Sequence, residues 1–151
     1  MSDTPDLLGL AQTALAKWQP RLHLRDYQIK VVIGALDDDS SALGSVRMGH
    51  TEKHAVIYIP PDFVARISHE DEAFCHPTEI ADQVEKIVLH ELLHVKEQPY
   101  HSRLKSDITY FVGDDAVVGT DIRTAYTYYR ENWINAMCRT LMEADRGGWS
   151  T

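Results

Sequence analysis

The sequence predicts an α+β fold: a small, mainly antiparallel sheet packed against an N-terminal helix, a central helix and a C-terminal helix. Three observations lead there. The stronger runs rich in β-branched residues lie in the first sixty positions, while apolar residues recur at helical spacing near the N-terminus and again on both sides of residue 90. The 151 residues, 44% apolar and 25% charged, suffice for one core and are too few for two ordinary domains. A single domain spanning 1–151 is therefore expected.

The elements follow in chain order. Thr4 and Pro5 form an N-cap and first-turn pair, after which Leu7, Ala11, Ala14, Leu15 and Trp18 mark one face of a first helix. Past Pro20, the segment from Tyr27 to Gly34 has the β-branched content of a strand. A shorter strand is expected from Leu43 to Met48, and a third from His54 to Ile59, stopped by Pro60 and Pro61. Asp62 to Ser68 reads as a short helix, followed by a polar loop. In the central helix Thr78 is the expected N-cap and Pro99 the expected stop. Between them Ile80, Val84, Ile87, Val88, Glu91, Leu92 and Val95 form an apolar stripe, with Asp82, Glu85, Lys86 and Lys96 largely opposite. An irregular stretch with a short strand, Ile108 to Val112, then leads to Thr120, the expected cap of a last helix from Asp121 to about Asp145. Gly147 and Gly148 end it.

The central helix carries His90-Glu91-Leu92-Leu93-His94, an H-E-x-x-H pattern. Two histidines four apart project from one helical face, so both imidazoles can reach one divalent ion such as zinc. Glu91, one step round the helix, can then serve as general base toward a water acidified in the open coordination position. A carboxylate on an apolar stripe requires a partner to offset its desolvation, and such a water is a sufficient one.

A catalytic zinc site uses three protein ligands and one open position. The metzincin extension is excluded, because the positions for its glycine and third histidine hold Glu97 and Tyr100. The aspzincin pattern is half present: Gly119, Thr120 and Tyr126 fit, but Arg123 stands at the aspartate position and Asp121 lies out of place. Glu131 is the preferred third ligand, since Ile134, Cys138 and Leu141 follow at three, seven and ten residues and give it an inward-facing stripe. A surface glutamate beside Arg130 or paired to Arg123 is the plainer alternative, and Glu143 and Asp121 are the other carboxylates in reach of the role. Asn135, four after Glu131, shares its face and is a candidate to hydrogen-bond a ligand imidazole. Tyr126 and Tyr129, shortly before Glu131, are candidate donors to a tetrahedral oxyanion, though aromatic packing explains either equally well. His101 reads as a loop residue, and His23, His50, His54, His69 and His76 lack ligand spacing.

The H-E-L-L-H motif followed by a helix bearing a glutamate resembles the gluzincin metallopeptidases, and at this chain length the compact minigluzincins and small phage-type metallopeptidases. The resemblance covers residues 25 to 145 in order of elements; only the five-residue motif is specific. It implies a zincin-like fold, zinc held by His90, His94 and Glu131, Glu91 as base, and hydrolysis of peptide bonds in a peptide or protein substrate. It also implies a cleft strand that binds extended substrate by main-chain pairing, for which His54 to Ile59 is the choice. Asn135 departs from the aspartate that some gluzincins carry there, and the segment between the two helices reads as loop-rich. The alternative is a zincin-like protein-binding domain that keeps a metal without turnover.

Other classes are disfavoured. A net charge of −8 opposes non-specific nucleic-acid binding. No apolar stretch approaches a membrane-spanning length, and the first eighteen residues lack a signal-peptide pattern, so cytoplasmic residence is expected. Cys75 and Cys138 have no CxxC spacing and read as small buried hydrophobes. The acidic runs Asp37 to Asp39 and Glu70 to Glu72 lack EF-hand spacing and read as solvated loops. The tail from Gly147 is a disordered end or, alternatively, a segment that occupies the cleft in a latent state.

Overall fold

The computed structural model describes residues 6–34, 43–49, 53–70, 77–112 and 116–147, which form four helices and a three-stranded sheet. The α+β class expected from the sequence is thus present. The chain divides into two compact units, residues 1–95 and 96–151.

The first unit begins with α1 (Leu7–Arg21). Its cap is Asp6, whose Oδ1 accepts from the Gly9 amide at 3.0 Å, and not Thr4, which lies outside the described residues. Ala11, Ala14 and Trp18 are buried along one face, as the spacing predicts. The helix runs through Pro20 and closes where Leu22 donates to the Trp18 carbonyl at 3.0 Å. His23 then adopts a left-handed φ of 58°, turning the chain toward the sheet.

The strands are β1 (Gln28–Ile33), β2 (Ser45–Met48) and β3 (His54–Ile59), in the spatial order β1-β3-β2. The expectation of a mainly antiparallel sheet is corrected. β1 pairs with β3 in parallel, from Gln28 opposite His54 to Ile33 opposite Ile59, and only β2 runs antiparallel, from Ser45 opposite Tyr58 to Met48 opposite Ala55. The chain passes from β1 through the opposite edge strand β2 before returning to the middle as β3, and that detour supplies the long connection a parallel pair requires. On β3, Ala55, Ile57 and Ile59 are buried and alternate with more exposed neighbours, so one face of the sheet enters the core. α1 packs on β1. α2 (Phe63–Glu70) follows, with Phe63 wholly buried and its amide bonded to the Pro60 carbonyl at 3.0 Å.

α3 runs from Pro77 to Val112, so the stop expected at Pro99 does not occur and Thr78 lies within the helix rather than capping it. Proline takes away one backbone donor but accepts helical φ; the interruption costs about 3 kcal/mol and does not compel an end. The carbonyl deprived of its i+4 partner is that of Val95, the residue at which the first unit ends. Ile108 to Val112 is helical, not a strand.

The second unit comprises the remainder of α3 and α4 (Ala116–Gly147). Thr120 is inside α4 rather than at its start, and only positions 113–115 separate the helices, so helix flanks both sides of the loop-rich connection expected from Gly113, Asp114, Asp115 and Gly119. Gly147 ends α4 as predicted. Ile134 and Cys138 are fully buried, Met142 nearly so, and Leu141 partly. Asp37 to Asp39, Asp71, Glu72 and Cys75 lie outside the described residues, as do His50, His76 and the tail after Gly147.

Candidate metal centre

The helical turn around residue 90 is held from two sides within the first unit. Trp18 Nε1 and Lys17 Nζ both donate to Glu85 Oε1, at 2.8 and 2.6 Å, tying α1 to α3 five residues before the motif. On the other side the chain leading into β2 approaches Ile87 and Glu91 at Gly44. Leu89, Leu92, Leu93 and Val95 are buried, and Glu91 and His94 with them, at 5% and 8% exposure. His90 is half-buried. Among the described residues no buried side-chain nitrogen or oxygen lacks a hydrogen-bond partner, so Glu91 is accommodated without an orphaned atom.

His90 and His94 face each other through the same ring nitrogen. Their Nε2 atoms are 3.2 Å apart, with ring centroids 4.9 Å apart and planes inclined at 65°. Two imidazoles at zinc–nitrogen distances of 2.0–2.1 Å and a tetrahedral angle have nitrogens about 3.3 Å apart. The separation found here matches that spacing. Glu131 completes the set: one donor atom from each of His90, His94 and Glu131 lies within 4.8 Å of the others. Two neutral nitrogens and one carboxylate oxygen make a donor set that could hold a divalent metal ion.

The other expected participants are distributed differently. Glu143 and Asp121, the rival carboxylates, are exposed, whereas Glu131 is half-buried. Arg130 does not pair with its neighbour Glu131; it forms an ion pair with Glu97 of α3 in which the side chains are only 16% and 14% exposed. Asn135 is exposed. Tyr129 is 70% exposed and meets Tyr128 edge to face, at 5.9 Å between centroids. Tyr126 stacks flat on His101, with ring planes 10° apart, and its hydroxyl lies 3.2 Å from His101 Nδ1. His101 is thus a helical residue packed against an aromatic ring, and the loop reading is corrected. Burial pushes the Tyr126 hydroxyl above its ordinary pKa, and the Glu97 carboxylate adds to the rise while Arg130 opposes it.

The strand chosen for substrate pairing is also corrected. β3 lies between β1 and β2, so both of its edges are already bonded and it has no main-chain groups to offer. Among the described strands β1 and β2 each pair only with β3, and Gly44, just before β2, approaches Glu91. No property of the letters 43 to 48 marked that approach, since a glycine before a short strand reads as an ordinary turn.

No protein-family model, curated protein or solved structure matches the chain. No described helix is long and apolar enough to cross a membrane.

Proposed function

We propose that this protein is a zinc-dependent metallopeptidase of gluzincin type, with His90, His94 and Glu131 as ligands and Glu91 as general base. The observation that carries the reading is the 3.2 Å separation of two histidine Nε2 atoms beside a buried carboxylate, with a third donor from Glu131 in the same cluster. Zinc in such a site supplies Lewis acidity, lowering the pKa of water toward neutrality and polarising a carbonyl oxygen. Glu91 takes a proton from the attacking water onto its carboxylate and returns it to the leaving amine nitrogen, so that the amine departs neutral. Burial of Glu91 strengthens that exchange by keeping competing solvent away from the carboxylate. Among the described strands β2 lies at an edge of the sheet, with Gly44 just before it close to Glu91, and an edge strand of that kind supports an extended polypeptide as substrate.

Incubation of purified chain with zinc, followed by metal analysis and an assay on unfolded protein substrates, tests the proposal. One zinc per chain and hydrolysis abolished by a chelator and restored by zinc are expected. No stoichiometric metal overturns the reading, whereas stoichiometric zinc with binding but no cleavage of peptides favours the protein-binding alternative.

A further inference from the structure

Gly44, just before the edge strand β2, lies against the Ile87–Glu91 turn of α3. A methyl group built on its Cα would overlap Ile87 Cγ2, well inside the 3.0 Å that real Cβ atoms keep, and would lie 3.6 Å from both Glu91 Oε1 and the Tyr58 carbonyl oxygen. The glycine is needed here for space.

The surroundings have little room to yield. Ile87 is β-branched and helical, so one χ1 rotamer dominates, and its Cγ2 hangs directly on Cβ and cannot swing aside as the tip of a long side chain would. Its helical neighbours Val84, Val88 and Leu89 are fully buried, which fixes that stretch of helix. On the opposite side the next residue, Ser45, is in register with Tyr58, whose carbonyl faces the same glycine. Gly44 therefore fills a slot between the middle strand and α3, and the Glu91 carboxylate, one helical turn beyond Ile87, rests over it.

We propose that Gly44 is a positioning residue for Glu91, its missing side chain letting the β2 strand close against the Ile87–Glu91 turn and fixing where the carboxylate stands. The catalytic part of this inference rests on the metallopeptidase reading; the geometric part does not. In Gly44→Ala the methyl group meets Ile87 and the strand or the helical turn must move, carrying Oε1 off its place. Displacement of a catalytic group by about 1 Å costs on the order of a hundredfold in rate. Truncating Ile87 to alanine removes Cγ2 and makes room for the new methyl.

The test compares wild type, Gly44→Ala, Ile87→Ala and the double variant, using the full chain with and without zinc. In metal-free protein the wild type is expected to show a nuclear Overhauser effect between the Gly44 α-protons and the Ile87 γ2 methyl. The Glu91 carboxyl carbon resonance is expected to move in Gly44→Ala and to return toward its wild-type position in the double variant. With zinc, Gly44→Ala loses about tenfold to a hundredfold in kcat with KM and zinc stoichiometry unchanged, and the double variant regains most of it. Absence of the Overhauser effect, an unmoved Glu91 resonance in Gly44→Ala, or a double variant that is folded and zinc-loaded yet no more active than Gly44→Ala overturns the proposal. Should Gly44→Ala fail to fold, the wild-type Overhauser effect and the double variant decide. A wild type that shows the contact and the resonance pattern but cleaves no peptide refutes the peptidase reading and leaves the geometry established.

Discussion

Replacing Glu91 by glutamine separates the chemistry of the site from its construction. The substitution is nearly isosteric, and residue 91 is only 5% exposed on a turn whose neighbours Leu92, Leu93 and Val95 are buried, so packing changes little and a stability change within about 1 kcal/mol is expected. His90 and His94 keep their 3.2 Å spacing because they are set by the helix and not by the residue between them. Zinc stoichiometry is therefore expected to be unchanged. On the proposed peptidase reading kcat is expected to fall by about 10² to 10⁴, equivalent to about 3–5 kcal/mol in the barrier, since an amide cannot take the proton from water as a general base does. Peptide hydrolysis in steady state, with metal content measured on the same preparation and urea unfolding run in parallel, gives all three quantities. A Glu91→Gln protein that keeps kcat within threefold of wild type while carrying one zinc refutes the base assignment. One that loses zinc together with activity shows that Glu91 belongs to the metal-holding set instead.

Other substitutions probe separate links of the same argument. Glu131→Ala is expected to weaken zinc binding by at least about tenfold in a competitive chelator titration, while Glu143→Ala and Asp121→Ala, both exposed, leave it unchanged; equal loss from all three would deny Glu131 its role. Tyr126 should ionise above the ordinary tyrosine range in an ultraviolet pH titration. Glu97→Gln should bring that ionisation down, because it removes a raising charge and frees Arg130, whose influence lowers it. Since the folded state holds this proton more tightly than the unfolded chain, its contribution to stability is intact below the unfolded tyrosine range near pH 10 and is lost as pH rises through the higher folded value. Trp18→Phe deletes the 2.8 Å bond to the Glu85 carboxylate at a site 1% exposed and should cost about 2 kcal/mol in urea unfolding; no measurable cost would mean that α1 is not anchored to α3 through this contact.

Much of the site was legible because helical periodicity is a local property. The four-residue spacing of His90 and His94 settles that they share a face, and the apolar residues at 84, 88, 92 and 95 settle that the helix is buried, whatever it packs against. The same reasoning picked Glu131 over Glu143 and Asp121 from the stripe that Ile134 and Cys138 continue. Local signals failed where a distant contact or a continuing helix outweighed them: Pro99 and the Gly113 to Thr120 segment have the composition of breaks, yet the helices run through or up to them.

What the sequence determined by itself is therefore a buried helix that presents two imidazoles and a carboxylate, and a second helix with an inward-facing glutamate. Strand order, the edge position of β2 among the described strands and the closeness of Gly44 to Glu91 were decided only by the tertiary structure, because pairing direction and backbone approach depend on residues far apart in the chain. A one-dimensional pattern records which face a side chain takes, and not which neighbour meets it there.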